Sequence, residues 1–587
     1  MIFTKGEIFM NTARTHTINP LLETDFYKTI HHLAYVPGLE FLVSYWTPRM
    51  TRIEGVDKVV MFGLQGLIKE HLVDAFEKHF FGRPWEELEA EYKRVIAHTM
   101  TEQASDTTEM KKLYDLGYLP IQIKAVAEGT RVNIKTPMFE ISNTVKGFGW
   151  LVNYLETYIS VNIWHPMTAA TIAYKYREIV EKFFELTVEN GIPSSACGDF
   201  SMRGMTSKDT AYKSSAGHLL SFTGTATIAS IMWLEDFYNC DCTKETVGRG
   251  VPSTEHSVMS SYGRDGEFEC YRHLIEDVFK TGPLSMVSDT YDYWRVICEY
   301  LPRLKNSIMN RNGKIIIRGD SGDPVDIICG ELKGSDYMVV DGLTEDGIKD
   351  YFKKKAEDEY SYNGASETWY RVRIGDYLYK VTCDHAWTTD EDGDGYYTET
   401  VEYVDFEKTE ITPAMKGTVE LLWEIFGGTI NSKGYKVLDP HIGAIYGDGI
   451  TIERAIDIYT RLEEKGFAVS NCTLGIGSYT YLGRVSRDSL GFALKATHSI
   501  IDGEERQIYK DPITDKVKGN NFKKSQYGLC YVYADGDDIL YKDHLTFEDL
   551  EKPEYADNLL RPVFKDGKLL IDEDLKTVRD RLHCGAF

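Results

Sequence analysis

From about residue 166, short apolar runs repeatedly end in polar residues and give way to a helical pattern, and this alternation limits the fold more than any other feature. Leu284-Ser285-Met286-Val287-Ser288-Asp289 precedes YDYWRVICEYL, and Lys314-Ile315-Ile316-Ile317-Arg318 precedes GDSGDP. Ala444-Ile445-Tyr446 precedes GDG, and Cys472-Thr473-Leu474 precedes GIGS. Continuous apolar runs of this length suit strands buried on both faces of a parallel sheet. In an α/β barrel, the polar residues at the C-terminal ends of such strands are where chemistry is placed. An open doubly wound sheet gives the same local pattern, so periodicity alone leaves both architectures open.

The flanking texture is different. Up to about residue 165 helical and extended segments mix: Phe62 to Phe81 has apolar residues at helical spacing, and Ile121 to Val126 alternates like a strand. Pro166 to Asn190 reads as an amphipathic helix that opens on its proline. Between about 335 and 410 the rhythm is interrupted by an acidic, Tyr/Trp-rich stretch with strand-like alternation, expected to be an inserted β-rich module. At 587 residues the chain exceeds one ordinary core, so more than one domain is expected.

Lys and Arg number 66 against 91 Asp and Glu, a net charge of −25. Such a surface repels nucleic acid and anionic membrane, so neither is expected as a partner. An anionic substrate would then need cations gathered locally. No apolar run approaches the ~20 residues that span a bilayer, and the first residues lack the apolar core of a signal peptide. The ten cysteines are scattered without zinc spacing, so a reduced, cytoplasmic protein is expected.

Four loops set small residues beside anion-binding or metal-binding side chains: Asp199 to Gly204, Ser253 to Ser257, Arg318 to Pro324, and Gly447-Asp448-Gly449 with Gly475 to Ser478, the last followed by Ser486-Arg487-Asp488. Gly-rich turns expose backbone N–H groups that can cradle phosphate. Taken singly, each such loop is more often an ordinary turn. Their joint occurrence after expected strands is the signal.

The segments TDFYK (Thr24 to Lys28), GDFSMRGMTS (Gly198 to Ser207), STEHS, SDTYD (Ser288 to Asp292), IIIRGDSGDP, YGDGI, VSRDS…KAT and KDP (Lys510 to Pro512) together resemble the nicotinamide phosphoribosyltransferases, a type II phosphoribosyltransferase family of the nicotinate/nicotinamide branch. The resemblance implies an irregular α/β barrel over 166–487, carrying the insertion at about 335–410. A second α+β domain would be formed from 1–165 and 488–587. It implies transfer of a phosphoribosyl group from phosphoribosyl pyrophosphate to nicotinamide, giving nicotinamide mononucleotide and pyrophosphate in NAD salvage. Phe200 would stack on the pyridine ring, with Tyr27 of a second subunit on its other face, Asp25 beside it, and Ala226 at the amide position. Arg318 and Ser285 would contact the amide and ribose region, while Asp289 and Asp320 would hold ribose hydroxyls or orient the reacting centre. Arg49, Arg203, Arg487, Lys495 and Lys510 would supply the phosphate-binding cations, with Gly447, Asp448, Gly477 and Ser478 in the loops around them. Mg²⁺ is the implied cofactor, and ATP would phosphorylate His256. A homodimer with shared sites is also implied.

Three features depart from the family pattern. Ala226 stands in Gly224-Thr225-Ala226-Thr227 where the nicotinamide enzymes carry an aspartate that accepts a carboxamide hydrogen bond, which leaves nicotinic acid open as the base. A glycine run at the phosphate loop is reduced to Gly477-Ser478-Tyr479, which leaves an ADP-ribose pyrophosphate donor open. In the insertion, Asp390, Asp392 and Asp394 match the opening of a calcium loop, yet the twelfth position is Val401, and a solvated acidic hairpin is the alternative. A catalytically silent pyridine-binding protein is the remaining rival.

Overall fold

The computed structural model describes residues 18–360, 366–447, 449–512 and 524–585, which fall into two compact units. The first unit takes Met1–Lys175, Ser201–Gly248 and Tyr481–Phe587; the second takes Tyr176–Phe200 and Arg249–Thr480.

The first unit is built on a seven-stranded sheet, in the order Glu504–Gln507, Phe492–Ile501, Leu39–Pro48, Phe139–Asn143, Ile121–Ala125, Arg561–Lys565, Lys568–Leu569. Every neighbouring pair is antiparallel. Both ends of the chain therefore share one sheet. Trp46, fully buried on strand Leu39–Pro48, stacks between Phe139 and Phe492 of its two neighbours, with ring centroids 5.7 and 5.2 Å away. Each large ring buries apolar area against a cross-strand partner, which fixes the register. Residues 64–81 are helical, as their spacing predicts, and bury Leu64, Leu67, Ile68, Leu72, Phe76 and Phe80 against this sheet's core.

The expected helix opening at Pro166 is corrected: the helix runs Glu156–Thr187 and holds Pro166 inside it. Proline is permitted at a helix start, but its fixed φ is also helical, so a proline alone does not mark the boundary. Here its ring packs against Gly63, which admits it closely.

In the second unit, strands Cys197–Asp199, Cys472–Ile476, Ile442–Tyr446, Ile315–Gly319 and Leu284–Val287 lie side by side in that order, all parallel. A further parallel bridge, Ser253 to Ser285, extends the row. The result is a parallel half-barrel. Its strands read as apolar runs because they are covered on both faces: all of Leu284–Val287 and Ile442–Tyr446 is buried. Ile452–Glu464 and Pro324–Cys329 are the helices that follow two of the strands.

The insertion contains antiparallel strands Glu367–Ile374, Tyr377–Thr389 and Gly395–Glu410, which pack one face on helix Ile348–Asp358. Ile348, Phe352, Val372, Val381, Cys383 and Val404 make a small core of its own. The module is β-rich as read, with a helix that the acidic composition conceals.

Candidate active site

The second unit gathers four of the nominated residues at the C-terminal ends of neighbouring strands. Arg318 lies in Ile315–Gly319, with Asp320 just beyond it, and Asp289 follows Leu284–Val287 by two residues. The Arg318 guanidinium donates to Asp320 Oδ2 at 2.9 Å. Asp289 Oδ2 accepts from the Asp320 backbone N–H at 3.2 Å and from the Ser321 hydroxyl. Its other oxygen, Oδ1, is buried and has no hydrogen bond among the described residues. His256 Nε2 stands 3.9 Å from Asp289 Oδ1 and 3.9 Å from Asp320 Oδ2, while Nδ1 lies 3.1 Å from Thr290 Oγ1.

Local structure explains why the loop takes this shape. Ser285 is buried on its strand and exchanges backbone hydrogen bonds with Pro252 and Thr254, which ties the STEHS loop to the strand carrying Asp289. The second aspartate pair of GDSGDP divides its labour. Asp323 caps the following helix by accepting from the Val325 and Asp326 N–H groups, so it is structural, whereas Asp320 faces the cluster.

Two glycines make the close packing possible. A Cβ on Gly447 would lie 2.2 Å from Asp320 Oδ1, and one on Gly475 would lie 2.8 Å from Phe200 Cδ2. Phe200 donates its backbone N–H to Ile476 O at 2.9 Å, so its ring stands over the end of the neighbouring strand, half-buried. Gly477 is buried and Ser478 half-buried just past strand Cys472–Ile476. Asp448 lies outside the described residues.

The first unit holds the other nominated residues. Tyr27 is 55% exposed, with the Lys28 ammonium 5.4 Å from its ring centroid, and Asp25 accepts from the Thr157 hydroxyl at 2.6 Å. Lys495 donates to Glu156 Oε1 at 3.0 Å and Lys28 donates to Glu156 Oε2 at 2.6 Å. Burial pushes the Glu156 carboxyl up, but Lys495 and Lys28 outweigh it and hold the group below its ordinary range. The Lys495 ammonium is shifted down by burial, against the pull of Glu156 and with Arg49 and Lys28 adding to the shift. Arg49 donates Nε to Gly491 O at 2.9 Å, and Arg487 is exposed in a short turn. Arg203, Ala226 and Lys510 are all exposed. Lys510 belongs to the segment after Glu504–Gln507, and its backbone N–H donates to Ser525 Oγ at 2.9 Å.

Asp390, Asp392 and Asp394 sit at the tip of the insertion hairpin. There Asp390 Oδ1 accepts the backbone N–H groups of Asp392 and Asp394 at 3.1 and 2.9 Å. That is the use a turn makes of an aspartate. Among the described residues, the His, Cys, Asp and Glu side chains that converge at metal-ligand range are instead Glu70, His71 and Asp209.

Sequence reasoning did not nominate Thr290, Ser321, Lys28 or Glu156. The first three lie inside motifs already singled out for their neighbours. Glu156 has no such signal, since it opens a helix 128 residues from Lys28 and 339 from Lys495.

The family model of the nicotinate phosphoribosyltransferase (NAPRTase) family matches residues 195–362 and 398–568. The interval between those stretches holds strands Glu367–Ile374 and Tyr377–Thr389 of the insertion. A nicotinamide phosphoribosyltransferase of Acinetobacter baylyi is 36% identical over 96% of this chain and 97% of its own length. One from Xanthomonas campestris pv. campestris is 28% identical over 96% and 97%, and one from Mycoplasma genitalium is 30% identical over 87% and 97%. The chain belongs to the nicotinate phosphoribosyltransferase family.

Proposed function

We propose that the chain transfers the phosphoribosyl group of phosphoribosyl pyrophosphate to nicotinamide, releasing pyrophosphate. The observation that carries this reading is the cluster of Asp289, Arg318 and Asp320 around His256 at the strand ends, in a chain whose relatives bear that activity's name. As the pyridine nitrogen bonds to C1 of the ribose and the C1–pyrophosphate bond breaks, positive charge grows on the sugar. Asp289 and Asp320 are fixed in place before the reaction, so they stabilise that charge without reorganising. Arg318, held by Asp320, presents its remaining N–H donors to the base and ribose. Phe200 offers one stacking face, and the exposed Tyr27 of a second copy offers the other in a homodimer. Arg49, Arg203, Arg487, Lys495 and Lys510 receive the phosphates.

Mg²⁺ fits the oxygen donors present, because the buried Asp289 Oδ1 lacks a hydrogen bond among the described residues and Asp320 lies beside it. These two carboxylates would hold the ion, which supplies charge neutralisation for the pyrophosphate oxygens. His256 is the phosphoryl acceptor from ATP in this reading. Thr290 engages Nδ1 and fixes the ring, which leaves Nε2, 3.9 Å from Asp289 and from Asp320, as the nitrogen that attacks.

A second reading, with nicotinic acid as the base, is favoured by one observation: Ala226 offers no side-chain acceptor to a carboxamide and no charge to repel a carboxylate. Mass spectrometry of products from phosphoribosyl pyrophosphate, Mg²⁺ and equimolar nicotinamide and nicotinic acid tests both. Nicotinamide mononucleotide as the main product is expected. The acid mononucleotide would move the assignment to the second reading, and absence of both would overturn phosphoribosyl transfer to either base.

A further inference from the structure

Within the first unit a cavity of about 390 Å³ opens between the start of helix 64–81, the loop after strand Ile121–Ala125 and the segment 559–573. Its walls are mainly apolar, including Leu64, Ile68, Val126, Val563 and Leu569. None of the residues nominated for phosphoribosyl transfer lines it. For scale, a cavity of about 150 Å³ accommodates benzene, and ligand sites begin at roughly 300 Å³.

The polar groups of the lining decide what could enter. Glu573 is spent on Arg581, which pairs with it through two nitrogens at 3.0 and 2.6 Å. Glu128 is buried, and both its oxygens are engaged by the chain itself: Oε1 by the Gln65 N–H at 2.7 Å, Oε2 by the Tyr238 hydroxyl at 2.7 Å and the Gly63 N–H at 3.2 Å. The Gln65 side chain is likewise occupied, donating to Phe237 O and Glu573 O and accepting from the Glu573 N–H. Arg561 differs from all of these. The residue lines the cavity and is exposed, and its guanidinium makes no hydrogen bond or ion pair with the described residues. The cavity thus has apolar walls, a Glu128 carboxyl whose oxygens are already engaged, and one cation, Arg561, without a partner among the described residues.

We propose that this cavity is a binding site for a small amphipathic anion, with an alkyl or aryl body lying against Leu64, Ile68, Val563 and Leu569 and a single carboxylate paired with Arg561. Burial of the apolar body supplies the affinity, and the guanidinium, a planar fork of donors, sets the sign and position of the head group.

Isothermal titration of the full-length protein with decanoate, decanol and decyltrimethylammonium, each below its micelle concentration, separates the contributions of body and charge. Saturating nicotinamide mononucleotide is kept present without pyrophosphate, so that the base and ribose positions of the transfer site are filled and no turnover heat arises. Decanoate is expected to bind at least about tenfold more tightly than decanol, and the cation no more tightly than decanol. Arg561→Gln, a surface change that leaves the core intact, should bring decanoate to within about twofold of decanol. Val563→Trp, which fills the space, should abolish saturable binding of both. The proposal is overturned if decanoate does not saturate, if the cation binds as well as the anion, or if Arg561→Gln leaves the decanoate preference unchanged.

Discussion

Gly447 and Asp320 show how narrowly the site is drawn at the scale of single residues. A Cβ at Gly447 would meet Asp320 Oδ1 at 2.2 Å, so Gly447→Ala must push the carboxylate away from Arg318. A displacement near 1 Å costs about a hundredfold in rate. Steady-state kinetics should show that loss in kcat, while thermal melting stays close to that of the unaltered protein. Glu128 makes a different prediction. Burial pushes its carboxyl up to about 7, against the donors from Gln65, Tyr238 and Gly63 that favour the ionised form. A carboxyl whose folded value is raised holds more protons folded than unfolded, so stability falls as pH rises from about 4.5 to about 7. The span corresponds to about 3 kcal/mol. Glu128→Gln should melt lower at every pH, because its amide N–H₂ faces donors, yet the decline between pH 4.5 and 7 should flatten. The placement of Asp289, Arg318 and Asp320 at strand ends could be read from the sequence because each closes an apolar run, and a strand end is a defined place in a parallel sheet; their roles came only from the family resemblance. Glu156 could not, because its role depends on two lysines that only the folded sheet and helix bring to it.

Elements were legible in proportion to how strongly periodicity constrained them. The four apolar runs became parallel strands, and 64–81 became a helix. The start of Glu156–Thr187 was misplaced because the helix continues through a proline that the sequence presents as an opening. The insertion was recognisable as strands from its alternation, but helix Ile348–Asp358, rich in Lys and Asp, shows its apolar face only through Ile348, Phe352 and Ala356. Since the hairpin has its own core and its tip is an aspartate-closed turn, the tip should be replaceable. Exchanging Asp390 to Asp394 for Asn-Gly keeps Thr389 and Gly395 as the last pair. Circular dichroism should be unchanged, and kcat and KM should stay within about twofold.

The proposed homodimer makes the prediction that belongs to the whole molecule. Asp320→Ala and Tyr27→Ala should each be nearly inactive alone. If Tyr27 serves the site of the other subunit, co-expressing the two variants creates mixed dimers with one intact site, and random pairing should restore about a quarter of normal turnover. Activity no greater than the sum of the two separate variants would place Tyr27 in its own subunit's site. At this scale the sequence was least informative. Charge and composition bounded the partners, but nothing in Ser201–Gly248 announces that it joins the first unit while its neighbours on either side join the second.

The pairing of Leu39–Pro48 with Phe492–Ile501 also bears on how the chain is born. The earlier strand leaves the ribosome with more than 440 residues still to be made before its partner emerges. At ~5–20 residues per second the wait is roughly twenty seconds to a minute and a half. Throughout that time one edge of a strand bearing Trp46 and Tyr45 stays open, a liability of the kind that chaperones cover. The half-barrel, whose last strand ends at Ile476, can close before the first unit does. The nascent protein therefore completes its middle first and its beginning last.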